Sequence, residues 1–210
     1  MSRESITTAF AEHYSGKIRE HGPNAKGVDW VHEDRAQQRQ DMMLGVVLPQ
    51  DKSENFSLLD VGCGYGALLT RAQSLQLKVD YTGNDLVADM ITHARALHPD
   101  SHFVVGDFLE TEWDETFDYV ICNGIMTFKH RASLLDMEKY CFALITKMFK
   151  MARKGIAFNM MSSRVNYYDQ NLFYRNPIEI INFCQANLSS KLRLENAYLP
   201  FEFTIHLYQP

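Results

Sequence analysis

The stretch that most restricts the fold of this 210-residue chain is FSLLDVGCGYGALL, residues 56–69. A short apolar strand runs through an acid and three alternate glycines into a segment that is apolar again and reads as a helix. Glycine in such a turn permits positive φ and removes the Cβ that would keep a ligand from lying against the backbone.

The rest of the chain alternates in the same way. A helix is expected over 35–48 and a polar loop over 49–55. VDYTGND (79–85) reads as a second strand, after which Val87, Met90, Ile91, Ala94 and Leu97 share one helical face. HFVVGDF (102–108), FDYVICNG (117–124) and GIAFNMM (155–161) continue as strands, with a long amphipathic helix over 133–151 before the last of these. Asn176, Pro177 and Glu179 spell a helix start: a side-chain cap, a proline where no N–H is needed, and a carboxylate in the first turn. LRLENAYL and FEFTIHLY then read as an antiparallel hairpin at the sheet edge. Alternation of this kind predicts an α/β fold: a seven-stranded, mostly parallel sheet with helices on both faces, because each parallel crossover must be helical. Residues 1–50 are expected to form a helical N-terminal cap within the same domain as 51–210.

Composition narrows the function. Twenty-one basic against twenty-six acidic residues give a net charge of −5, so the basic stripe that tracks a nucleic-acid backbone is missing. A small-molecule substrate is the expectation, with neither nucleic acid nor membrane as partner. The four cysteines are widely spaced and form no Cys-x-x-Cys pair, which reads as a reduced, cytoplasmic protein without a structural metal. The first residues carry charges throughout and lack an export signal's apolar core, and no run approaches the roughly 20 apolar residues of a membrane span.

The glycine loop resembles a phosphate loop, but its spacing is G-x-G-x-G, and Asp60 stands two residues before Gly62. A carboxylate at the mouth of an anion site repels a pyrophosphate and attracts a cation. The expected ligand therefore carries positive charge, as an amino group or a sulfonium does.

LLDVGCGYG, GNDL and GDF, in that order on successive strands, resemble the motifs of the class I S-adenosylmethionine-dependent methyltransferases. HGPNAKGVDW, followed by a glutamine- and arginine-rich helix, looks like the N-terminal cap of small bacterial members. The resemblance implies a Rossmann-like fold, S-adenosylmethionine as cofactor and S-adenosylhomocysteine as product. It places Asp60, Gly62, Cys63, Gly64 and Gly66 beside the methionine portion of the cofactor. It places Asp85 on the ribose hydroxyls, with Leu86 following, and Asp107 with Phe108 on the adenine. Asp85 and Asp107 also suit helix N-caps, and Met90 suits either the core or the adenine wall. Asn123 and Gly124 touch the cofactor or border the methyl acceptor. The NGIM sequence lacks the Asn/Asp-Pro-Pro-Tyr motif of enzymes that methylate amino groups of DNA bases.

For the acceptor, ligands in parallel sheets lie beyond the carboxyl ends of the strands. His130 is the candidate general base, against a helix-start or surface role. Arg164, Tyr167, Tyr168, Tyr174 and Arg175 form a basic and aromatic loop suited to clamp an anion or to cover the core. Tyr14 and Trp30 are the residues of the cap that could close over the site.

Overall fold

The computed structural model describes residues 3–30 and 32–210. The chain opens with α1 (Arg3–His21) and α2 (Glu33–Leu44), then enters the alternating part through β1 (Phe56–Val61), α3 (Ala67–Ser74), β2 (Val79–Asp85) and α4 (Ala88–Leu97). It continues through β3 (His102–Val105), β4 (Phe117–Cys122), α5 (Leu134–Met151) and β5 (Ala152–Ser162). The end is β6 (Tyr174–Arg175), α6 (Pro177–Asn187), β7 (Leu192–Glu195) and β8 (Glu202–Tyr208).

The strands form one sheet in the order β3-β2-β1-β4-β5-β8-β7, and the two-residue β6 pairs with the end of β5 as an eighth member. The first five strands are parallel, and β8 inserts antiparallel between β5 and β7, with Gly155 opposite Tyr208 and Met161 opposite Glu202. The order steps from β1 to β2 and β3 on one side and to β4 and β5 on the other. The strand order thus reverses beside β1, which opens a crevice at its carboxyl end.

Side chains alternate across the sheet as the pleat requires. Phe56 and Leu58 of β1, with Tyr119 and Ile121 of β4, pack in a core with Met43, Leu44, Leu68, Leu69 and Ile91 from α2, α3 and α4. Leu59 and Val61, with Val120 and Cys122, face Leu144, Ile145 and Met148 of α5 and Ile180 of α6. Ile6 and Phe10 of α1 belong to that second core, which ties the N-terminal helix to the body. Fully burying one such side chain contributes about 1.5–3 kcal/mol.

Local signals explain the boundaries. Ser133 caps α5, its hydroxyl accepting from the Asp136 N–H, and Asn176 caps α6 by accepting from Ile178. The helix expected over 35–48 starts earlier and stops at Leu44. Gly45 closes it by donating to the Asp41 and Met42 carbonyls, and Val46 and Val47 bury themselves from a turn. Apolar periodicity cannot distinguish a buried turn from a last helical turn, so the expected end was too late. Among the described residues, no helix is long and apolar enough to cross a membrane.

Candidate active site

At the carboxyl end of β1 the chain turns under control of its neighbour β2. Gly62 and Cys63 both donate their N–H to the Asn84 carbonyl, at 2.8 and 3.0 Å. The Gly64 N–H donates to Asp85 Oδ2 at 2.9 Å, and the Val87 N–H to Oδ1 at 2.9 Å. Asp85 therefore caps the turn into α4 and fixes the glycine loop, and each carboxylate oxygen keeps acceptor capacity for a further donor. Asn84 carries the link to β3: its buried amide donates to the Gly106 carbonyl at 3.0 Å. Asp107 likewise accepts from the Leu109 N–H at 2.9 Å through Oδ1.

These turns surround one cavity. Asp60, Gly62, Cys63 and Gly64 line its base, Asp85, Leu86 and Met90 one side, and Asp107 and Phe108 lie beyond them. Asn123 and Gly124, past the end of β4, line the other side, and Tyr14 and Trp30 contribute from the N-terminal segment. A Cβ on Gly64, at φ +55°, would lie 3.1 Å from Val28, so a side chain there would be both strained and crowded.

The electrostatics of the base are unusual. Asp60 is buried, and its Oδ2 accepts from the Tyr81 hydroxyl at 2.7 Å while its Oδ1 has no partner. Burial pushes its carboxyl up to about 7 against the lowering effect of the Tyr81 bond, and the nearby Asp85 adds to the rise. Burial also raises Asp85, opposed by the N–H donors of Val87 and Gly64. Burial raises the Tyr14 phenol, assisted by Asp29 and Asp85.

Comparison with known proteins agrees with this arrangement. The profile of the methyltransferase-domain family matches residues 58–155, from the middle of β1 into β5. A Mycobacterium tuberculosis protein provisionally named a methyltransferase is 31% identical over 160 residues, spanning 73% of this chain and 93% of that protein. The chain belongs to the class I S-adenosylmethionine-dependent methyltransferases.

Two solved structures show the same fold at low identity. Magnesium protoporphyrin IX methyltransferase from Synechocystis, with bound S-adenosylmethionine, has a TM-score of 0.71 at 13% identity, covering 98% of this chain and 97% of that one. Human N-acetylserotonin methyltransferase, also with S-adenosylmethionine, has a TM-score of 0.67 at 15% identity, covering 100% of this chain and 60% of that one.

Four residues singled out from the methyltransferase sequence lie elsewhere. Gly66 does not line the cavity; at φ +87° it opens α3 and faces His98, whose Cδ2 lies 2.9 Å from where a Cβ would be. His98 also bridges to the Gly66 carbonyl and to the Thr70 hydroxyl, both at 3.1 Å, so the third glycine serves helix packing. Gly66→Ala is expected to cost about 1–2 kcal/mol in urea unfolding, from the left-handed backbone alone. His130 stacks on Phe128 at 5.8 Å, and Phe128 lines the cavity where His130 does not. Burial and the neighbouring His13 lower the His130 imidazole. Arg164 and Tyr168 are exposed and outside the cavity, and the Tyr168 hydroxyl donates to the Ser163 carbonyl. The loop folds back on itself there: β6 pairs with β5, and Phe128 bridges to Leu172.

Several lining residues carried no signal in the methyltransferase sequence. Gln40 of α2, Ile125 and Phe128 line the cavity only because distant elements meet there. Asn159 of β5 is buried, and its Oδ1 accepts from the Gly124 N–H at 2.8 Å, fixing the turn after β4.

Proposed function

We propose that this chain transfers a methyl group from S-adenosylmethionine to the oxygen or nitrogen of a small-molecule acceptor, releasing S-adenosylhomocysteine. The observation that carries the reading is Asp60, a cavity-lining carboxylate with a buried oxygen that no protein group satisfies. A cationic group in the cavity supplies the missing partner and makes the ionised form favourable.

The residues present suit that cofactor. Asp85 offers acceptor capacity for adjacent ribose hydroxyls, and Asp107 for an exocyclic amino group, with Phe108 and Met90 as apolar walls. Gly62, Cys63 and Gly64 give a backbone surface that a ligand can approach closely. When bound, the cofactor would supply an electrophilic methyl carbon for the acceptor's lone pair, the carbon–sulfur pair would stay on sulfur, and the methylated acceptor would lose its proton to bulk solvent on release.

This chain's part is then to align and to exclude water. Residues 3–30 and 32–50 act as a helical cap within the same domain as the sheet, with Tyr14 and Trp30 over the acceptor side. The Arg39 guanidinium lies over the Trp30 ring, 5.3 Å from its centroid, and pairs with the buried Glu202, Nε to Oε2 at 2.9 Å. That contact holds the indole from behind.

Calorimetric titration tests the reading. S-adenosylmethionine and S-adenosylhomocysteine are expected to bind and NAD is not, because three aspartates line a cavity that a pyrophosphate would have to enter. Tight NAD binding without the other two would sink it. Release of S-adenosylhomocysteine on adding a metabolite extract is the corresponding sign of turnover, and its absence under all conditions points to an idle cofactor-binding subunit.

A further inference from the structure

The charge census of the cavity bears on the class of acceptor, given the methyltransferase reading above. Asp60, Asp85 and Asp107 line it, and among the described residues no lysine, arginine or histidine does. The cations that come near are engaged outside it or at its edge: Lys147, over the Phe108 ring, donates to the Phe108, Leu109 and Thr111 carbonyls, and others meet carboxylates. Arg39 pairs with Glu202 behind Trp30. Lys17 and His13 both bond to Asp29, at 2.9 and 2.8 Å. Arg3 pairs with Glu110 and stands 4.0 Å from Asp107.

An anionic acceptor entering this cavity would give up its hydration and find no lysine, arginine or histidine on the lining to replace it. Arginine forks are the usual means of holding a carboxylate or phosphate, and the arginine considered for that purpose, Arg164, is exposed and outside the cavity.

The acceptor side adds a positive specification. Beyond β4, where Trp30 packs against Gly124, the lining is aromatic and aliphatic: Trp30, Ile125 and Phe128. Beside them Asn123 has a buried Oδ1 without a hydrogen-bond partner. A carbonyl oxygen accepts hydrogen bonds only, so its complement is an N–H or O–H. Asn123 directly follows β4, whose register with β5 brings it level with Asn159, and Asn159 holds the adjoining Gly124 N–H. The acceptor oxygen is thus on a turn whose backbone is fixed.

We propose that the methyl acceptor is an uncharged or cationic molecule with an aromatic or apolar body, bearing an amine or hydroxyl that donates to Asn123 Oδ1, and that anionic acceptors are rejected. The aromatic walls favour a planar body and tolerate a positive charge through their π faces. Selectivity here comes from the missing cation as much as from any contact made.

The test uses three probes of one shape, benzylamine, benzyl alcohol and benzoate, titrated into the full chain saturated with S-adenosylhomocysteine and followed by ligand-observed NMR. Saturation with the cofactor product is measured first, so that failure of the methyltransferase reading shows as no cofactor binding, before any probe is added. Benzylamine and benzyl alcohol are expected to bind at least about tenfold more tightly than benzoate, a difference of about 1.4 kcal/mol. Asn123→Ala is expected to weaken both donors by about tenfold. Equal or tighter binding of benzoate overturns the proposal, as does failure of all three probes to bind the saturated protein. Unchanged donor affinity in Asn123→Ala overturns the role given to that oxygen.

Discussion

Asp85→Ala is expected to lower S-adenosylmethionine affinity by at least about a hundredfold, beyond calorimetric detection at ordinary concentrations. A hydrogen bond to a charged acceptor contributes about 1.5–3 kcal/mol, and two ribose donors on one carboxylate double that. The variant removes more than a ligand contact, because the Gly64 and Val87 N–H groups lose their acceptor at the same time. The glycine loop would then loosen where the cofactor's backbone contacts are made. The β1–β2 pairing from Phe56 to Val61 does not depend on this side chain, so far-ultraviolet circular dichroism should be unchanged. Asp85→Asn separates the two roles, since it keeps an acceptor oxygen but loses the charge. Wild-type affinity in Asp85→Ala would refute the ribose assignment.

The second expected result concerns pH. The Asp60 carboxyl is raised from its ordinary 3.8 to about 7 in the folded protein without ligand. The folded state therefore holds a proton that the unfolded chain has released over the range from about pH 4 to pH 7. Stability from this group falls as pH rises through that window and is flat above it, by a total of about 4 kcal/mol. Asp60→Asn keeps an acceptor for the Tyr81 hydroxyl and cannot ionise, so urea unfolding at pH 8 should find it more stable than the wild type. Binding runs the other way. A cationic ligand favours the ionised carboxylate, so S-adenosylmethionine affinity should rise between pH 6 and pH 8 and binding should release a proton near pH 7. Calorimetry in buffers of different ionisation enthalpy measures that proton directly. Asp60→Asn is expected to flatten this profile. A pH-independent affinity in the wild type would contradict the placement of positive charge beside Asp60.

Much of the fold was legible in the sequence for a local reason. Residues 56–69 commit to strand, turn and helix within a few residues of one another, and the structure realises them as β1, the glycine loop and α3. The cap of α6 was equally readable, because Asn176 acts on an N–H group two residues away. The boundary of α2 was not, since Val46 and Val47 look the same to a periodicity whether they end a helix or fill a core from a turn.

The site divides in the same manner. Asp60 near the end of β1, Asp85 at the end of β2 and Asp107 just past β3 stand at sequence-readable positions, and parallel pairing brings the three strands side by side. At Gly66 two reasons for glycine, a ligand and a neighbouring ring, leave the same letter in the chain. His98, the ring in question, is 32 positions away.

The sequence by itself determined the order of strands and helices, the glycine turn and the three carboxylates, since each depends on residues close along the chain or on one strand's end. Only the tertiary structure decided what shares the cavity with them. Phe128 rather than His130 faces inward, Arg164 stays outside, and α1 and α2 bring Tyr14 and Gln40 across long separations. The character of the acceptor side, aromatic surface without a facing cation, is a property of that assembled surface. A count of charges along the chain averages it away.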